Sequence, residues 1–126
     1  MNENDLRDQM AEIGRTLFAR GLAHGSAGNL SVRTDDGFLI PPTNTCLGRL
    51  DPARIAKVGF DGRHLDGDRP SKEAFLHLAM YEERPDDRAI VHLHSTYSVA
   101  VGCLADVDPR DVLPPLTAYY VMQVGR

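Results

Sequence analysis

Ala89-Ile90-Val91-His92-Leu93-His94-Ser95-Thr96 is the stretch from which the chain is best read. Apolar and polar residues alternate along it at period two, which predicts a β-strand. Val91 and Leu93 then point to one face, and His92 and His94 share the other. The two histidine Cα atoms would stand roughly 6–7 Å apart, close enough for both imidazoles to meet one ion at ~2.0–2.1 Å. A solvated strand face also accommodates such a pair. Neutral imidazole suits zinc, cobalt, manganese or iron, so the pair by itself selects no metal.

The surrounding chain narrows the setting. Its 126 residues, 42% of them hydrophobic, suffice for one core. A formal net charge of -4, with no basic run and no basic stripe interleaved with aromatics, argues against nucleic acid and against an anionic membrane as partners. A small molecule is expected instead. No apolar run reaches the length of a membrane span, and the start Met1-Asn2-Glu3-Asn4-Asp5 is acidic and polar, unlike a signal peptide. The expected location is cytoplasmic. Cys46 and Cys103 are too few and too far apart for a disulfide framework or a thiolate zinc site.

Upstream, Asp5 is a candidate cap for a helix whose apolar positions Leu6, Met10, Ile13 and Leu17 recur at helical spacing, ending near Gly21. Leu30–Thr34 and Gly37–Ile40 flank Asp35-Asp36 as a hairpin, and Pro41-Pro42 ends its second strand. Asp51-Pro52-Ala53-Arg54 reads as a short helical turn, followed by strands at 55–60 and near 63–65. Pro70-Ser71 opens a helix expected to bury Phe75, Leu76, Leu78, Ala79 and Met80, with Arg84-Pro85 as its stop. After the histidine strand, 97–105 reads as a buried helix, and a last helix follows Pro114-Pro115. Helices and hairpin strands in this order predict a sheet covered by helices.

Several segments carry candidate chemistry, each with an ordinary structural reading beside it. The turn Gly25-Ser26-Ala27-Gly28-Asn29 can aim N–H groups, Ser26 and Asn29 at an anion, or simply link a helix to a strand. Thr43 and Asn44 follow a strand end, where polar side chains line clefts or form turns. Ser71 and Lys72 open a helix, where a phosphate is stabilised by free N–H groups and a serine also serves as a cap. Glu73 is an acid in the first turn of the helix that leads into the histidine strand, a place the helix dipole favours for any carboxylate. His77, four residues on, reads as a core-edge histidine or a partner of that acid.

Taken together, Gly25-Ser26-Ala27-Gly28-Asn29-Leu30-Ser31, Pro41-Pro42-Thr43, Pro70-Ser71-Lys72-Glu73 and Val91-His92-Leu93-His94-Ser95 make the chain resemble the class II aldolase/adducin family of metal-dependent sugar-phosphate lyases. The resemblance implies an α/β fold, three layers (αβα) around a mostly antiparallel sheet. It also implies His92 and His94 as ligands of zinc or another divalent metal, Glu73 as the acid/base, and Ser26, Asn29, Thr43 and Ser71 around a substrate phosphate. The family's third histidine ligand lies well downstream, and nothing after His94 is a histidine. Residues 1–126 are therefore expected to be the N-terminal portion of a single domain of this type, truncated at the C-terminus.

Within the family, Pro41–Gly48, Pro70–His77 and Leu113–Met122 are similar to the 3-oxo-tetronate 4-phosphate decarboxylase branch, with Asn44 and Lys72 where fuculose-phosphate aldolases commonly carry glycine and serine. That similarity implies loss of CO₂ from a phosphorylated four-carbon sugar acid, giving dihydroxyacetone phosphate through an enediolate stabilised by the metal. A sugar-phosphate aldolase or epimerase is the alternative, and a non-catalytic adducin-like binding domain is another. The family resembled here also implies a homotetramer, with Tyr120 as a candidate proton donor to an adjoining subunit's site.

Overall fold

The computed structural model describes residues 2–124. The chain divides into two compact units, Met1–Ser95 and Thr96–Arg126.

The first unit opens with α1, Glu3–Ala19. Its cap is Asn2 rather than Asp5: Asn2 Oδ1 accepts from the Asp5 N–H at 2.9 Å, and Asp5 returns the bond to the Asn2 N–H at 3.1 Å. Asp5 thus completes a capping box three residues inside the helix. The buried face of α1 is Arg7, Met10, Ala11 and Gly14, with Leu6 and Leu17 at its margins. Ile13, expected in that stripe, is 48% exposed. Small residues explain the rotation, because a Cβ on Gly14 would stand 2.7 Å from the Leu47 carbonyl oxygen. The helix therefore approaches the Leu47 turn through its small side chains and carries Ile13 outward.

Strands β1 (Asn29–Arg33), β2 (Gly37–Ile40), β3 (Ala56–Gly59), β4 (His64–Asp66) and β5 (Ala89–His92) form one sheet in the order β4-β3-β2-β1-β5, with every pairing antiparallel. Period-two alternation divides the core. Leu30 and Leu39 face α1, joined by Met10, Ala11, Leu47, Leu50 and Ile55. Phe38, Ile40, Ala56, Val58 and Ile90 form the other cluster, with Tyr81 of α2 (Ala74–Glu83). Full burial of each large side chain here contributes about 1.5–3 kcal/mol. A helix on each face of the sheet makes three αβα layers. Arg7 is buried as well, donating to the Ile55 carbonyl and to Asp66 of β4, which ties α1 to the far edge of the sheet.

Helix α2 departs from its expected face. Phe75 is 72% exposed, Leu76 and Met80 are also exposed, and the fully buried positions are His77 and Tyr81. The cause lies beneath the helix, where β1 presents Asn29 and Ser31. A buried amide and hydroxyl need polar partners, and the helix turns the residues that supply them inward.

In the second unit, α3 is Thr96–Gly102 and α4 is Ala118–Val124. No residue of α3 is buried, contrary to the buried helix expected at 97–105. Among the described residues, no helix is long and apolar enough to cross a membrane.

Candidate active site

Three chain segments meet at one end of the first unit's sheet. The exit from β2 and the approach to α2 run side by side: Thr43 N–H donates to the Arg69 carbonyl and Ser71 N–H to the Pro41 carbonyl, each at 3.0 Å. Pro42 and Pro70 stand opposite one another between those bonds, where neither needs an N–H. This pairing sets the Thr43-Asn44 corner against the start of α2. Asn44 takes a left-handed backbone, φ 58°, which asparagine tolerates better than most residues.

The start of α2 is later than the sequence suggests. Ser71 and Lys72 lie in a turn, and Glu73 is the cap residue rather than part of the first helical turn. Ser71 Oγ accepts from the Glu73 N–H at 3.3 Å, a bond across the turn that precedes the helix and fixes the backbone from which the acid rises.

The third segment is the glycine loop leading into β1. Gly28 has φ +80°, and a Cβ there would stand 3.1 Å from the His92 carbonyl oxygen. Glycine is required for that conformation and that approach. Asn29 then pairs with His92 across the β1–β5 ladder, so both side chains rise from the same face.

Ser26, Asn29, Thr43, Asn44, Ser71, Lys72, Glu73 and His94 all line one cleft of about 280 Å³. Lys72 is exposed at its wall and takes part in none of the ion pairs among the described residues. The cleft therefore offers hydroxyls, amides and one uncommitted cation together, a set suited to a phosphorylated anion. Asn29 is nearly buried, and its amide is already engaged, with Nδ2 donating to Glu73 and Oδ1 bonded to His77.

At the floor, β5 ends at His92, and His94 lies beyond the strand. The expected strand through residue 96 is thus shorter, yet the two rings still come together, stacked with centroids 5.1 Å apart. One ligand atom from each of Glu73, His92 and His94 falls within 4.8 Å of the others. His92 Nδ1 is buried without a hydrogen-bond partner, although Glu73 Oε2 is 3.4 Å away. A buried nitrogen left bare beside a carboxylate and a second imidazole fits a divalent cation, and two nitrogens with one oxygen are a donor set known at catalytic zinc sites.

Behind Glu73 lies a polar network of which the sequence flagged only Asn29 and His77, the histidine fully buried here rather than at the core edge. Ser31 Oγ is 2.7 Å from His77 Nδ1 and 2.8 Å from Tyr81 Oη, and His77 Nε2 meets the Asn29 amide. Burial, and then the charge of His92, lower the His77 pKa to about 4, with Glu73 opposing the shift. A serine at an inward strand position, facing His77 and Tyr81 four residues apart on a helix, was the available signal.

Tyr120 belongs to the second unit, half-buried in α4, where its backbone N–H donates to Thr117 Oγ1 at 3.1 Å.

Residues 8–126 match the model of the Class II Aldolase and Adducin N-terminal domain. The chain belongs to the class II aldolase and adducin family. It is 52% identical over 123 residues to a 3-oxo-tetronate 4-phosphate decarboxylase of Cupriavidus necator, covering 98% of this chain and 57% of that protein. Identity to an L-fuculose phosphate aldolase of Escherichia coli is 38% over 104 residues, covering 82% of this chain and 48% of that one. A crystal structure of YgbL from Escherichia coli superposes with a TM-score of 0.90 at 48% identity, over 98% of this chain and 60% of that chain. This member of the family thus spans less than two thirds of the length of these relatives.

Proposed function

We propose that this chain carries the phosphate cleft, the acid and two metal ligands of a cytoplasmic 3-oxo-tetronate 4-phosphate decarboxylase. The observation that carries the reading is the 52% identity to a decarboxylase of that name across nearly the whole chain, against 38% to the aldolase. The cleft chemistry agrees with it.

In this reading His92 and His94 hold a divalent ion, zinc as the family resemblance implies, with Glu73 within reach of it. When bound, that ion supplies Lewis-acid polarisation of the substrate ketone. The chain's own residues do the rest. Ser26, Thr43, Ser71 and Lys72 bind the phosphate, with Asn44 shaping the cleft corner and Asn29 at its base. Binding at that end places C1 to C3 toward Glu73. The C1–C2 bond breaks, CO₂ leaves, and the electron pair passes toward the C3 oxygen. Glu73 takes up a proton from solvent and delivers it to C2, completing dihydroxyacetone phosphate. A homotetramer, in which Tyr120 of an adjoining subunit is the alternative donor of that one proton, completes the proposal.

Product identity tests it. With a 3-oxo-tetronate 4-phosphate in deuterated water, the complete protein should release CO₂ and place deuterium on the carbon that lost the carboxylate. If fuculose phosphate yields aldehyde readily while the oxo acid gives no CO₂ above its spontaneous rate, the protein is an aldolase.

A further inference from the structure

His77 has no exposed surface and is not among the residues that line the cleft, so it touches no substrate. Both of its ring nitrogens are nonetheless engaged, Nδ1 by Ser31 and Nε2 by Asn29. β1 makes this possible, since Asn29 and Ser31 lie two residues apart on one strand and so share a face.

Counting donors gives the network a direction. An ionised Glu73 only accepts, so the Asn29 group facing it is the Nδ2 amide, and Asn29 Oδ1 is left to face His77. His77 Nε2 must then carry a proton. In a neutral ring Nδ1 is bare and takes the single Ser31 hydroxyl proton, and Ser31 accepts in turn from the Tyr81 hydroxyl. With the other neutral tautomer, either Nε2 meets Asn29 Oδ1 without a proton between them, or the amide turns its oxygen against the Glu73 carboxylate. Complete burial disfavours the imidazolium, which would relax this constraint.

We infer that His77 is a positioning residue for Glu73: Ser31 and Tyr81 hold it as the Nε2–H tautomer, and that N–H locks the Asn29 amide with its own N–H toward the acid. Asn29 is thereby an orienting group at the base of the cleft as well as part of its lining. Side chains of this supporting kind typically change activity or metal affinity by about ten- to a hundredfold when removed.

The test has two arms. Only the kinetic arm rests on the proposed function. In the complete protein with ¹⁵N-labelled histidine, the His77 ring nitrogens should report a neutral Nε2–H tautomer at pH 7. An Nδ1–H tautomer or an imidazolium there overturns the inference whatever reaction the protein catalyses. In the kinetic arm, His77→Leu should lower kcat by about ten- to a hundredfold with little change in KM. His77→Gln, whose side-chain amide N–H replaces Nε2–H toward Asn29, should recover most of that loss. Thermal melts of both variants separate positioning from folding. Loss of kcat that follows thermal stability alike in the two variants overturns the inference. If the wild-type protein releases no CO₂ from the oxo acid, the proposed function fails while the tautomer arm still decides the role of His77.

Discussion

His92 Nδ1 and Glu73 Oε2 lie 3.4 Å apart with no hydrogen bond between them, and the histidine nitrogen is buried without any partner. A cation between them would satisfy both. His92→Ala should therefore abolish metal retention, with the ion lost on dialysis and measured by elemental analysis. Stoichiometric metal retained by that variant of the complete protein would remove His92 from the ligand set.

Lys72 is an exposed cation at the wall of the cleft, beside the Ser71 hydroxyl. Lys72→Ser removes a charge-assisted contact that a phosphate would make equally in ground and transition states. KM for a phosphorylated substrate should rise by about tenfold with kcat nearly unchanged. An unaltered KM would place the phosphate elsewhere.

Acid should unfold the protein partly through His77. Its pKa falls from an ordinary value of 6.5 to about 4 on folding, because the ring is buried and His92 lies nearby. The unfolded chain therefore binds the extra proton first as pH falls. Stability from this group is complete above about pH 6.5 and is lost progressively toward pH 4, on the order of 3 kcal/mol in all. Urea midpoints measured across that interval should fall with pH in the wild type and fall less steeply in His77→Gln. Equal slopes would assign the acid sensitivity to other groups.

Gly28 leads the cleft loop into β1 and packs against the histidine strand. Its left-handed φ and the 3.1 Å approach of a Cβ to the His92 carbonyl predict that Gly28→Ala costs about 1–2 kcal/mol in urea unfolding. The same strain should weaken metal retention, because it presses on the strand that carries a ligand. An unchanged midpoint would show that the loop adjusts freely.

How much of this was legible in the chain depends on the range of the physics involved. The hairpin at Asn29–Ile40, the helical turn at Pro52–Arg54 and the approximate extent of α1 follow from local rules, namely turn residues, a proline at a first helical position and period 3.6. The cleft residues could be named because their motifs resemble a family, which places residues far apart in sequence at one site without explaining how they meet. Which way a helix turns is a different kind of fact. Ile13 and Phe75 are apolar and helical, yet both face outward, since Gly14 must admit the Leu47 carbonyl and His77 with Tyr81 must answer Ser31. Likewise, His94 meets His92 although the strand ends between them, and the line from Tyr81 to Glu73 crosses between α2 and β1, joining residues 44 to 50 positions apart in sequence. By itself the sequence determined the elements and the chemical inventory of the site. Only the tertiary structure decided helix rotation and which polar groups meet, because a buried polar group is satisfied by whatever folding brings opposite it.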